Sequence, residues 1–277
     1  MIRNYKMLDF PGLKHGITTR VGGVSKGDYV SMNTGIFGSD VREDVLKNIS
    51  IAADRVGITA SSIFMTHQTH SDRIFVIDES TELTSLDVYD QAKISERAYQ
   101  LYAIEDHDAM VTNRTDIALM TFHADCVPII VYDPIQHVVA AIHSGWLGTS
   151  KMILSKTLDL MHMRFGSLMS EVKVVIGQSA SVCCYEVQRN VYEAFEAILV
   201  PEEMQVIFHA KADNLWHLDL KEANRLLAKK SGVLQGNIEI DSGCTVCAPS
   251  LFHSHRGAKG GNRGMMSILV QLENKTL

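Results

Sequence analysis

The sequence predicts an α/β protein: mixed, α+β-type sheets with flanking helices, layered into a single domain over residues 1–277. Three observations predict it. Strand-sized apolar runs alternate with segments of helical periodicity. Three such runs crowd the centre, Asp116–Phe122, Val127–Tyr132 and His137–Ile142. No internal repeat, low-complexity tract or linker-like stretch divides the chain.

The elements follow in order. His15–Thr19 reads as a short strand. RVGGVSKGDYVSMNTG, rich in Gly, Ser and Asn, reads as a long loop of functional character. Val41–Val56 is predicted helical, because Val45, Ile49 and Ala52 recur on one face. Arg73–Ile77 is a strand. Ser80–Asp108 is polar and irregular, with a short helix expected near Ala92–Leu101. The Asp133-Pro134 pair turns Val127–Tyr132 into His137–Ile142. Thr149–Phe165 is an amphipathic helix carrying Leu154, Leu158, Met161 and Phe165, with Thr149 as a candidate cap. Lys173–Ile176 is a strand and Arg189–Leu199 a helix. Asp219–Lys230 opens with the capping pair Asp219 and Glu222. A last strand follows Met266.

Composition narrows the function classes. Hydrophobic residues at 46% and charged residues at 21% exclude a disordered or collagen-like chain. A chain of this length buries roughly 70–75% of its surface and needs no covalent staples. The net charge of −6 supplies no basic face, so a nucleic-acid polymer is not an expected partner. No apolar run approaches the ~18 residues of a membrane span. The first residues lack a signal peptide's apolar core. With five cysteines, an odd number, this predicts reduced thiols and a cytoplasmic protein. Nothing in the chain sets an oligomeric state.

Chemistry-bearing residues gather at strand ends. Thr66-His-Gln-Thr-His-Ser71, His123-Ala-Asp-Cys126, His143-Ser-Gly-Trp-Leu-Gly148 and Phe252-His-Ser-His-Arg256 stand out, the last followed by Gly261-Asn-Arg-Gly264. Cys126, His143 and one of His67 and His70 could make a His₂Cys zinc site with an open fourth position. Alternatively, a Cys126 thiolate activated by His143 could act as a metal-free nucleophile. Gly145 and Gly148 permit close backbone approach, and the helix start beyond them favours an anion. Trp146 could stack on an aromatic ligand or sit in the core. Cys244-Thr-Val-Cys247 could be half a zinc site or a redox pair, but there is no second CxxC and Cys183-Cys184 is adjacent rather than spaced. Structural thiols are therefore the expectation. Arg256 and Arg263, set among glycines, could fork onto a phosphate or form a solvated basic loop.

Taken in order, Thr19-Arg-Val-Gly-Gly-Val-Ser25 with Asn33, Gln68-Thr-His70, Ala124-Asp-Cys-Val-Pro128, His143-Ser-Gly-Trp146, Tyr185-Glu-Val187, Cys244-Thr245 and Ser254-to-Arg263 resemble the YfiH/YlmD family, the laccase-domain "polyphenol oxidase"-like proteins related to human FAMIN. The resemblance covers most of the chain. It implies a YfiH-like layered fold with one zinc held by His70, Cys126 and His143, the QxH motif selecting His70 over His67. It implies purine nucleoside phosphorolysis (adenosine, inosine, S-methyl-5′-thioadenosine) with adenosine deamination, so purine nucleoside and phosphate are the expected ligands. Asp125, Cys126 and His143 become the candidate catalytic residues. Arg20, Asn33, Arg256 and Arg263 become the candidate substrate-binding ones. Copper-dependent phenol oxidation is an alternative, weakened because only one His₂Cys set can be assembled, though His67, His253 and His255 could take added copper loosely. Peptidoglycan editing, or a binding role on a decayed site, are further alternatives. The chain departs from the family pattern at Leu147, Gln178 and Gly257; the first and last replace arginines.

Overall fold

The computed structural model describes residues 1–83, 86–94 and 97–274. Among them the elements run β1 (Ile2–Arg3), β2 (Leu13–Thr18), α1 (Arg42–Val56), β3 (Ser62–His67), β4 (Ile74–Ile77), β5 (Asp90–Ile94), β6 (Arg97–Glu105), β7 (Ala109–Thr112), β8 (Ile117–His123), β9 (Val127–Asp133) and β10 (Val138–Ser144). The second half holds α2 (Trp146–Ser150), α3 (Ile153–Phe165), β11 (Lys173–Ile176), β12 (Glu186–Gln188), α4 (Arg189–Glu196), α5 (Pro201–Ile207), β13 (Phe208–Ala212), β14 (Leu215–Leu218), α6 (Leu220–Lys230), β15 (Ile238–Ile240) and β16 (Met266–Leu272). The fold is mixed α/β, as the alternating pattern predicts.

Two large sheets stack face to face. One has the order β1-β2-β16-β8-β3-β6-β5 and the other β15-β11-β9-β10-β7-β4. A small sheet, β12-β14-β13, stands apart. The central strands β8, β9 and β10 are buried on both faces, which is why they read as continuous apolar runs. Their two faces serve different layers, by the period-two alternation of strand side chains. Ile130, Val139 and Ala141 meet Leu119, Ile268 and Val270 between the sheets. Val127, Ile129, Val131 and Ile142 face the other way, toward Leu154, Leu158 and Leu227 of α3 and α6. On the far side, Met120 and Leu269 meet Val45, Ile49 and Ala53 of α1.

Local signals hold at several ends. Helix α1 stops at Gly57, whose φ of 84° is left-handed and whose N–H caps Ala53 O and Asp54 O. Asp219 caps α6 by accepting from the Glu222 N–H at 3.0 Å. Asp133 organises the turn into β10 by accepting from Ile135 N and Gln136 N.

Two expectations are corrected. The helix expected near Ala92–Leu101 is instead the antiparallel pair β5–β6. There, buried Tyr99 and Leu101 alternate with exposed Ala98 and Gln100, and β6 also pairs in parallel with β3. That long-range pairing overrides the local helix preference. The helix expected over Thr149–Phe165 is broken: Met152 takes φ 63° between α2 and α3. Thr149 lies inside α2 rather than capping a helix, and its hydroxyl donates back to Gly145 O at 2.8 Å.

Candidate metal centre and its cleft

The β9–β10 register builds the first half of the site. Pro128 pairs with His143 and Val127 with Ser144, so one further step sets Cys126 opposite Gly145. A Cβ at Gly145 would lie 2.9 Å from both Cys126 Sγ and His70 Cδ2. Only glycine lets thiol and imidazole close over that point.

The third side chain arrives from the other sheet. Strand β3 runs parallel to β8, and beyond His67 the chain turns through His70 at φ 58°. Asp108, just before β7, holds that turn. Its fully buried carboxylate accepts from the backbone N–H groups of Thr69, His70 and Ser71 at 3.2, 3.1 and 2.7 Å, and from the Ser71 hydroxyl at 2.7 Å. The same carboxylate receives His143 Nδ1 at 2.7 Å. One acid therefore positions both histidines, and His143 turns Nε2 rather than Nδ1 toward Cys126.

The donor set fits a metal. One ligand atom from each of His70, Cys126 and His143 lies within 4.8 Å of the others. Cys126 Sγ and His70 Nε2 are 3.8 Å apart. Tetrahedral zinc with Zn–N ~2.1 Å and Zn–S ~2.3 Å separates such atoms by about 3.6 Å. Electrostatics favour the ligating forms of the sulfur and the acid. Burial opposes ionisation of Cys126, but the charge on His143 and hydrogen bonds from His143 and His70 outweigh it, and the thiol is held down to about 6. Burial likewise opposes the His143 charge, and the Cys126 thiolate with Asp108 lifts it to about 9. Asp108 is drawn down to about 2 by His143 and Ser71 despite its burial.

His70, Cys126 and His143 sit in the wall of a cleft of about 760 Å³. Phe37 stacks on His67 at 4.5 Å between centroids, and His67 Nδ1 meets Glu105 at 2.5 Å. Across the opening, the Arg256 guanidinium lies over the Tyr185 ring at 5.3 Å and donates twice to Glu186 O. Trp146 and His255 also line the cleft.

The remaining candidate residues divide by what they touch. Asp125, at φ 92°, accepts from Thr245 Oγ1 at 2.5 Å and from Arg256 N at 2.6 Å. It braces the cleft wall, and the carboxylate on His143 is Asp108's. Asn33 lines the cleft, but its amide bridges Asp40 and the N–H groups of Gly35 and Met265. Arg20 is not among the cleft-lining residues; its guanidinium donates to Val30 O and Pro249 O. Arg263 lines the cleft, and its Nε is buried without a hydrogen-bond partner. Gln178 is buried, accepting from Tyr5 Oη and donating to Thr18 O. Leu147 is not among the cleft-lining residues, and the Gly257 N–H donates to Ser254 Oγ. Buried Asn48 of α1 ties the long loop down, donating to Ser25 Oγ, Ser31 O and Asn33 O and accepting from Val24 N.

Sequence reasoning missed Asp108. Its one local signal was an acid directly before the apolar run of β7. It also left Cys183, Cys184, Cys244 and Cys247 as separate pairs, whereas the structure gathers all four thiols within 4.8 Å. Among the described residues, His67, His253 and His255 join no converging group of three or more metal-type side chains.

Comparison with known proteins agrees with this architecture. The family model described as multi-copper polyphenol oxidoreductase laccase matches residues 14–273. "Purine nucleoside phosphorylase YlmD" of Bacillus subtilis is 35% identical over 258 residues, 93% of this chain and 88% of the relative. A protein named "Adenosine deaminase RL5", from an unknown prokaryotic organism, is 30% identical over 253 residues, 90% of this chain and 92% of its own. The crystal structure of YfiH from Bacillus licheniformis superposes with a TM-score of 0.84 at 30% identity, covering 98% of this chain and 99% of that one.

Proposed function

This chain belongs to the laccase-domain YfiH/YlmD family, and from that membership we propose that it is a zinc-dependent purine nucleoside phosphorylase with adenosine deamination as a second activity of the same site. The observation that carries the reading is the convergence of His70, Cys126 and His143 in a cleft wall shared with Phe37, Tyr185 and Arg263. Three protein donors leave the open position of a catalytic zinc. A zinc ion held there would supply Lewis acidity and generate hydroxide near neutral pH.

The chain's own residues do the rest. Phe37, backed by His67, and Tyr185, backed by Arg256, are the cleft-lining aromatic rings that would contact a purine. Arg263, in the cleft wall, supplies a cation for phosphate, which attacks ribose C1′ as the C1′–N9 bond breaks and the base leaves with the electron pair. Asp108 keeps both imidazoles aimed, and Asp125 holds Thr245 and Arg256 in the wall. A multi-copper oxidase needs several copper positions, and the described residues offer one histidine-containing group.

The test is metal-replete protein incubated with adenosine, with and without phosphate, followed by mass analysis. Phosphate-dependent adenine with ribose 1-phosphate is expected from phosphorolysis, and inosine from deamination. No base release with phosphate present rejects the phosphorylase reading. A second reading, a metal-free cysteine hydrolase, draws on the Cys126–His143–Asp108 chain and the lowered thiol. It predicts rapid alkylation of Cys126 unaffected by chelator; under the zinc reading, Cys126 is protected until metal is stripped.

A further inference from the structure

A second cluster lies behind the cleft wall, outside the metal centre described above. We infer that Cys183, Cys184, Cys244 and Cys247 form a structural site for a thiophilic divalent cation, zinc foremost, which clamps the segment leading to cleft-lining Tyr185 against the one whose Thr245 holds cleft-lining Asp125. All four sulfurs lie within 4.8 Å of one another. Cys247 Sγ is 3.5 Å from Cys183 Sγ and 3.2 Å from Cys184 Sγ. Tetrahedral thiolates around zinc stand about 3.8 Å apart, and a disulfide needs about 2.05 Å. The observed spacings are near the first value and far from the second. Cys247 also approaches two sulfurs at once, which a disulfide cannot use.

The backbone presents the thiols as a clamp. The two segments lie some 60 positions apart in sequence, yet Thr245 N donates to Ser179 O at 3.0 Å and Ser179 bridges to Cys244. The CxxC segment closes a turn, with Ala248 N donating to Cys244 O. Four thiolates and a divalent cation leave a charge of −2. Buried Lys221 stands close by, anchored to Asp241 O and Gly243 O at 2.8 and 3.1 Å, and supplies a compensating cation. Four protein sulfurs leave no open position, so the role is structural.

The site would act on the cleft through its neighbours. Tyr185 follows Cys184 directly, and Thr245 follows Cys244 and holds Asp125. Closing the four thiols on one ion would therefore fix the wall that carries Tyr185, Asp125 and Arg256.

The test uses full-length protein purified under reducing conditions without added metal. Cys126→Ala disables the first centre, so any tightly held ion then reports the thiol cluster alone, whatever becomes of the proposed activity. One equivalent of zinc in Cys126→Ala is expected. Its loss is expected on further Cys244→Ser or Cys247→Ser substitution. Cobalt loaded into Cys126→Ala should show thiolate-to-cobalt charge transfer and intense tetrahedral bands. Exposed Cys183→Ser, which leaves the buried thiol in place, guards against simple misfolding: it should fold by circular dichroism and bind cobalt at least tenfold more weakly. Cys126→Ala with no bound metal and no thiolate–cobalt spectrum overturns the proposal. So does an intact mass two hydrogens low, with Cys247 in a disulfide, under those reducing conditions.

Discussion

Asp108→Asn tests whether one carboxylate builds the metal centre. The substitution keeps the volume but leaves one acceptor oxygen where two served five donors. If the amide oxygen keeps His143 and the His70 N–H, the new NH₂ faces the N–H groups of Thr69 and Ser71. Two part-buried donors without acceptors, at about 1–3 kcal/mol each when fully buried, set an upper loss of about 2–6 kcal/mol in stability. Removing a carboxylate behind a ligating histidine costs about 10–100-fold in metal affinity. A compensation runs the other way near neutral pH. The carboxylate helps hold His143 up to about 9, so its loss also weakens the proton that metal must displace. The affinity loss is therefore largest above pH 9, where the wild-type imidazole is already neutral. Chelator competition at pH 7 and above pH 9, with urea unfolding of the metal-free proteins, gives both quantities. The Asp108 carboxyl lies at about 2, below its ordinary 3.8. Its ionised form thus stabilises the fold fully above about pH 4, and that contribution fades as pH falls through about 2. Unchanged stability and unchanged affinity above pH 9 in Asp108→Asn would refute the assignment.

Other outcomes follow from the same contacts. Gly145→Ala places a methyl 2.9 Å from both Cys126 Sγ and His70 Cδ2; it should lower metal affinity at least tenfold and cost about 1–3 kcal/mol by overpacking, and full wild-type metal content with unchanged affinity would count against the close approach. Metal uptake should depend on pH through the two ligands. With Cys126 held down to about 6 and His143 up to about 9, log affinity should rise by roughly one per pH unit between those values, as His143 loses its proton, and more steeply below the lower one; a flat profile in a pH-corrected competition titration contradicts the Cys126–His143 pairing. Arg263→Ala should raise KM for phosphate by roughly tenfold or more with little change for nucleoside, and Arg263→Lys should recover part of it; equal effects on both substrates would take phosphate away from Arg263. Asn48→Ala removes the anchor of the 20–35 loop and should cost about 1–3 kcal/mol, read by thermal unfolding and by faster amide exchange at Val24; exchange confined to wild-type rates would show that the loop is held by other contacts.

What was readable locally follows from short-range physics. The paired runs Val127–Tyr132 and His137–Ile142 declare themselves because both faces of their strands are buried. The Asp133 turn between them sets a register that carries Cys126 to Gly145. Helix α1 and the Asp219 cap are equally local. Residue type offered Cys126, His143 and one of His67 and His70 as donors, and the choice of His70 came from the resemblance to the family.

What the sequence alone determined about this protein is therefore its mixed α/β class and its central strands, with the residue types of its candidate donors; what only tertiary structure decided is how distant segments meet. The β6 strand exists because β3 lies beside it, and its local composition had suggested a helix. Asp108 became the keystone of the centre only when the turn at His70 and the end of β10 came to the same carboxylate. Cys183 and Cys184 met Cys244 and Cys247 only through the Ser179–Cys244 bridge. Such meetings depend on closing loops of tens of residues, and no window of local periodicity reports which strand ends the closed sheets bring within hydrogen-bond reach.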